Sequence, residues 1–137
     1  MKTEDIKWEE LTFSYMPTDY NVRCTYRDGK WGDIEVSDSE YIPMHIAASC
    51  LHYGQESFEG LKAFRGKDGK IRIFRMEENA KRFIRSAEGI KMQPMPVELF
   101  CEMVKKVVKL NERFIPPYGT GAVSYTHLRA HETCADL

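Results

Sequence analysis

A chain of 137 residues, 42% hydrophobic and 30% charged, has the size and make-up of one globular domain. Its 20 basic and 21 acidic side chains leave a net charge of -1, a balance that gives no reason to expect a nucleic-acid or membrane-surface partner. No apolar run approaches the roughly 20 residues of a membrane span. The opening MKTEDIKWEELTF is charged and has no apolar signal core, so a cytoplasmic location is expected.

Residues 1–19 read as irregular, anchored by Trp8, Leu11, Phe13 and Tyr15, with Pro17 discouraging a helix. Next, Val22, Cys24 and Tyr26 alternate with polar residues before Asp28-Gly29, and Trp31, Ile34 and Val36 follow. That pattern predicts a hairpin. A second hairpin is expected in GLKAFRGKDGKIRIFR, with Leu61, Ala63 and Phe64 before Asp68-Gly69 and Ile71, Ile73 and Phe74 after it. Two helices follow. Met76, Ala80, Phe83, Ile84 and Ala87 recur at helical spacing behind Glu77 and Glu78, acids suited to a first turn. Val97, Phe100, Cys101, Val104 and Val108 form a second stripe, led by Pro96. PPYGTG then breaks the structure. Strands followed by amphipathic helices predict an α+β layer with an antiparallel sheet.

The cysteines, Cys24, Cys50, Cys101 and Cys134, are scattered without a C-x-x-C pair and are expected as reduced thiols in or near the core. His127 and His131 stand four apart, a spacing that can set two metal ligands on one helix face. They do not form H-E-x-x-H and no third ligand is evident, so no metal is expected. No G-x-S-x-G, P-loop or G-x-G-x-x-G occurs. LHYGQESFEGLKAF, residues 51–64, places Tyr53 and Phe58-Glu59-Gly60 on a short approach to a strand. A glycine beside an aromatic lets backbone approach a ligand while the ring forms an apolar wall. The same residues suit a tight turn with core aromatics. Among Arg72, Arg75, Arg82 and Arg85, Arg82 lies off the Phe83/Ile84 stripe. It suits a solvated face or a phosphate ligand, and spacing does not choose between them.

LHYGQESFEGLKAFRGKDGKIRIFR followed by ENAKRFIRSA resembles the N-terminal domain of branched-chain amino acid aminotransferases, pyridoxal-phosphate-dependent enzymes of fold-type IV. The resemblance runs from about Leu11 to Ala122 and includes LTFSYMPTDY, IPMHIAASCLHYGQESFEG and PPYGTGA. It implies that residues 1–122 form the small domain of such an enzyme, an antiparallel sheet with two helices, incomplete because part of its own sheet is missing, and that the large C-terminal domain is absent. It implies pyridoxal 5'-phosphate as cofactor, with Arg82 on its phosphate. Tyr53 and Phe58 would line the pocket for the branched side chain, Gly60 would let the backbone come close, and Phe13 would reach the pocket. Glu59 belongs to the same motif with no assigned role. The implied reaction exchanges Leu, Ile or Val and 2-oxoglutarate for a branched 2-oxo acid and glutamate, in a homodimer.

The family's Schiff-base lysine lies in the large domain, which this chain does not reach, so no catalytic residue is expected here and the chain alone is expected to be inactive. Beyond PYGTGA the family continues with a strand reading roughly Tyr-Leu-Arg-Pro. This chain reads VSYTHLRAHETCADL, and residues 123–137 are read as a non-native tail. The nearest alternatives are other fold-type IV enzymes, a D-amino acid aminotransferase or an aminodeoxychorismate lyase. The LTFSYMPTDY leader and the KDGK hairpin favour the branched-chain group. An alternative of another class is a non-catalytic binding module, which would fold alone as a stable monomer.

Overall fold

The first hairpin is fixed by its turn. Asp28 and Gly29 have φ of 54° and 78°, the successive positive values of a two-residue reversal whose twist matches the flanking strands. The computed structural model describes residues 6, 8 and 15–119. In chain order these form β1 (Asn21–Arg23), β2 (Tyr26–Arg27), β3 (Lys30–Trp31), β4 (Glu35–Ser37), α1 (Ser49–Tyr53), β5 (Ala63–Arg65), β6 (Ile71–Ile73), α2 (Met76–Gly89) and α3 (Val97–Leu110). A 3-10 turn follows at Glu112–Phe114.

Val22 stands opposite Val36, and Tyr26 opposite Trp31. Between these two ladders, two residues (Cys24 and Thr25) face three (Gly32, Asp33 and Ile34). The extra residue on the returning strand breaks the pairing. The Gly32 N–H still reaches the Thr25 carbonyl at 2.9 Å, and Cys24 turns into the core. The second hairpin pairs Ala63 with Ile73 and Arg65 with Ile71, with Gly69 at φ 76° in its turn.

Both hairpins and both long helices therefore match the sequence reading, but a single antiparallel sheet does not form among the described residues. There are three two-stranded ladders, β1–β4, β2–β3 and β5–β6. Alternation marks a strand and its apolar side, but it does not say which edges join. Here the hairpins lay Val22, Trp31, Ile34 and Ile73 against the helical core instead of pairing edge to edge.

That core is made where α2 meets α3. Met76, Ala80, Phe83 and Ala87 are buried on α2, and Phe100, Cys101, Met103, Val104 and Val107 on α3. Phe83 is 0% exposed, and its ring centroid lies 5.7 Å from that of Phe100. Asn111 ends α3 and fastens the incoming chain. Its Nδ2 donates to the Val107 carbonyl at 2.9 Å and to the Tyr20 carbonyl at 2.8 Å. Its Oδ1 accepts from the Tyr20 N–H at 3.1 Å. Beside it, Arg113 Nε donates to Asp19 at 2.6 Å.

Phe83→Ala is expected to lower the unfolding free energy by about 3–5 kcal/mol, since the ring is enclosed on every side. Asn111→Ala is expected to cost about 1–3 kcal/mol, because the Tyr20 N–H and C=O and the Val107 carbonyl lose the partner that the buried Asn111 side chain supplies. Urea unfolding followed by tryptophan fluorescence measures both. A cost of a few tenths at either position would contradict the packing described.

Candidate functional site

The stretch 51–64 is built in two parts. Leu51 to Tyr53 belong to α1, which ends at Gly54 with φ 62°. A left-handed residue at that place is the usual glycine stop of a helix, so this glycine serves a cap. Residues 55–60 then run as a strap along α2, tied at both ends. Gln55 Nε2 donates to the Ile90 carbonyl at 2.9 Å. Asn79 Nδ2 donates to the Gly60 carbonyl at 3.1 Å.

The centre of the strap is Glu59. From Phe58 to Ala63 burial alternates, with Glu59, Leu61 and Ala63 turned in and Phe58, Gly60 and Lys62 turned out. That is the two-residue period of extended chain. Glu59 is therefore a carboxylate in a core position, 6% exposed. It accepts hydrogen bonds from Asn79 Nδ2 at 2.8 Å and Arg82 Nε at 2.9 Å, and a third from Arg82 Nη2. Burial alone would raise its pKa, but the hydrogen bonds from Arg82 and Asn79 outweigh it and hold the carboxyl below the ordinary glutamate value.

The Arg82 side chain is 60% exposed against 4% for Glu59. A guanidinium has five N–H donors in one plane. Glu59 takes the edge made by Nε and Nη2. Among the described residues no partner takes the other edge, Nη1 with the second Nη2 hydrogen, which leaves it for a planar or tetrahedral anion, the shape to which arginine binds through two parallel bonds. The residues present therefore fit a phosphoryl group. Arg72 is committed elsewhere, to Asp68 within the hairpin turn at 2.8 and 2.7 Å, and it lowers the Asp68 carboxyl to about 2. Arg75 occupies the left-handed residue ahead of α2, with φ 48°.

Phe58 is 57% exposed and Tyr53 88%. Neither is a core aromatic of the described residues. A Cβ on Gly60 would meet the Phe58 ring at 3.6 and 3.7 Å, ordinary contact distances, so packing among the described residues does not demand glycine there. The structure thus brings Phe58, Gly60 and Arg82 to one strap and its supporting helix, while Tyr53 closes α1. Phe13 lies outside the described residues, as do His127, His131, Cys134 and the segment 123–137. Asn79 and Gln55 were not anticipated from the sequence. Asn79 had a signal available: it stands three residues before Arg82, which puts both on one face of a helix.

Elsewhere, a groove of about 570 Å³ is lined by residues that include Lys70, Ile73, Met76, Lys105 and Lys109, and none of the expected site residues borders it. Among the described residues no three His, Cys, Asp or Glu side chains group as metal ligands. No helix of the described residues is long and apolar enough to cross a membrane. Cys24 and Cys101 are buried thiols, and Cys50 is half-buried.

No protein-family model matches the chain. Curated relatives do. Over 122 residues the chain is 43% identical to the branched-chain-amino-acid aminotransferase of Haemophilus influenzae, covering 89% of this chain and 36% of that protein. It is 39% identical over 122 residues to the enzyme of the same name from Helicobacter pylori, with the same coverage of 89% and 36%. It is 43% identical over 121 residues to the chloroplastic branched-chain-amino-acid aminotransferase 5 of Arabidopsis thaliana, covering 87% of this chain and 29% of that protein. The chain is homologous to the N-terminal third of branched-chain aminotransferases, and it spans about a third of the length of these relatives.

The Glu59 carboxyl has a folded pKa below its unfolded one. Its contribution to stability is therefore present above the unfolded value, near the ordinary 4.3 of glutamate, and is lost as pH falls through the folded value. Urea unfolding at pH 7 and at successive steps into the acid range is expected to show wild-type stability falling in that window. Glu59→Gln is expected to be less stable at pH 7 and to show a shallower acid loss. An unchanged acid slope in Glu59→Gln would mean that Glu59 does not carry this linkage.

Proposed function

We propose that residues 1–122 form the small domain of a pyridoxal-phosphate-dependent branched-chain amino acid aminotransferase, with residues 123–137 foreign to it. The observation that carries the reading is the outward edge of Arg82, fixed by a buried carboxylate beside an exposed aromatic strap. In this role Arg82 holds the cofactor phosphate. Tyr53 and Phe58 form the apolar wall for the substrate side chain, with Phe13 added from the N-terminal segment. Gly60 keeps the space next to Phe58 open, a use for a glycine that packing among the described residues does not require. Pyridoxal phosphate, when bound, supplies the electron sink that lets the amino acid's Cα–H bond break.

The chain's own residues bind and orient. The phosphate end is fixed by directed donors and the side-chain end by apolar surface. One methylene in an apolar pocket changes discrimination by only about 1–3 kcal/mol, so leucine, isoleucine and valine are all accepted as donors, with 2-oxoglutarate as acceptor. The covalent step needs a lysine outside this chain's motifs, and the chain by itself is inactive on this reading. A cytoplasmic homodimer is the proposed working form of the longer protein.

The test begins with a long read of the source locus past the codon for Ala122. The product of the continued frame is then assayed with L-leucine, L-isoleucine and L-valine against 2-oxoglutarate. Turnover of all three is the expected result. Arg82→Ala in that protein is expected to weaken pyridoxal phosphate binding about ten- to hundredfold, the scale of a lost hydrogen bond to a charged group, while the affinity for pyridoxal is little changed. Turnover of D-alanine with none of L-leucine would place the protein in another fold-type IV activity. A genomic stop after Leu137 would replace transamination with a binding role, which a sharp cooperative melt of the monomeric chain would support.

A further inference from the structure

We infer that Glu59 is the positioning residue for the anion site at Arg82: it holds the guanidinium by one edge so that the other is presented to a phosphoryl group. The inference rests on Arg82 as the phosphate anchor, and it gives a role to a residue that the motif leaves without one.

The asymmetry of the pair carries the argument. The Glu59 side chain is 4% exposed and that of Arg82 60%. The carboxylate sits in an extended strap whose next residue, Gly60, is also tied to α2 through Asn79. It cannot follow the arginine outward. The geometry of the pair is set from the buried side, and the arginine conforms to it. An arginine on an exposed helical face otherwise samples many rotamers, and ordering it on binding costs affinity. With Nε and Nη2 already bonded to Glu59, that cost falls on folding instead of on binding. The pairing also offsets the arginine's charge. What remains is direction more than net charge, which favours a ligand with two oxygens in register over a point anion.

A competing account treats Glu59 as a stand-in that a phosphate displaces. The two differ in what happens to Arg82 Nε–H. The probe is pyridoxine 5'-phosphate, which has no aldehyde to react with lysines, titrated into the nitrogen-15-labelled full chain. The Arg82 side-chain signals are assigned by their loss in Arg82→Lys. The expected result is that the Nη signals move while Nε–H keeps its bonded shift. If Nε–H moves to the value of unpaired arginine as the probe binds, Glu59 is a competitor and the inference falls, with Arg82 still the anchor. If no Arg82 signal responds to saturating probe, the anchor assignment itself falls.

Glu59→Asp separates position from charge. It keeps the carboxylate but withdraws it by one methylene, out of reach of the two-point contact. With helical circular dichroism unchanged, probe affinity is expected to drop about two- to tenfold, the scale of ordering one long side chain. Equal or tighter binding by Glu59→Asp overturns the positioning role. Should this variant lose its circular dichroism signal, the wild-type titration decides alone.

Discussion

A buried carboxylate must be compensated, and much of this molecule's arrangement follows from compensating Glu59. A charge placed in a core position without partners is far more costly than any single contact can offset. Glu59 finds its three donors on α2, from Asn79 and Arg82. That requirement draws the strap 55–60 onto the helix. Because the strap is extended, turning Glu59 inward turns Phe58 and Gly60 outward together. One ionic requirement thus sets the helix–strap contact, the side on which the aromatic appears and the direction in which Arg82 points.

Helix α2 joins this clasp to the rest of the fold. Phe83, fully enclosed against Phe100, is the next residue after Arg82. Adjacent helical residues diverge by about 100°, so one turns into the core while the other turns to the strap. The depth and rotation of α2 are fixed by Phe83, Ala80 and Ala87 on one side. The guanidinium therefore inherits its place from core packing, and Glu59 sets only its last torsions. A site carried on a packed helix holds its geometry better than one carried on a loop.

Much of this was legible in the sequence. The Asp28-Gly29 and Asp68-Gly69 reversals, and the apolar stripes of α2 and α3, are local signals, and local signals were enough for them. Three features were not legible, each for a physical reason. The single sheet expected from the strands resolves into three ladders, because edge pairing depends on where the helices lie and not on alternation. The five-residue α1 is too short to show a period, although Gly54 marks its end. The partner of Arg82 lies 23 residues away in sequence, so spacing left the arginine suited equally to solvent and to phosphate. Resemblance to a known family chose phosphate. The structure adds which edge of the guanidinium is taken and which, among the described residues, is open.

The two ends of the proposed site also differ in kind, and that difference bears on selectivity. At Arg82 the donors are directional and pinned by a buried partner, so a ligand group must match both distance and angle. At Tyr53 and Phe58 the contact is exposed apolar surface, which rewards area and is nearly indifferent to which carbon supplies it. A molecule held by both would be read strictly at its anionic end and loosely at its hydrocarbon end. That division is what the proposed cofactor and several branched substrates would require. For Phe58 it follows from the alternation of the strap, in which Glu59, which holds the arginine, and Phe58, the residue proposed for the wall, are neighbours facing opposite ways.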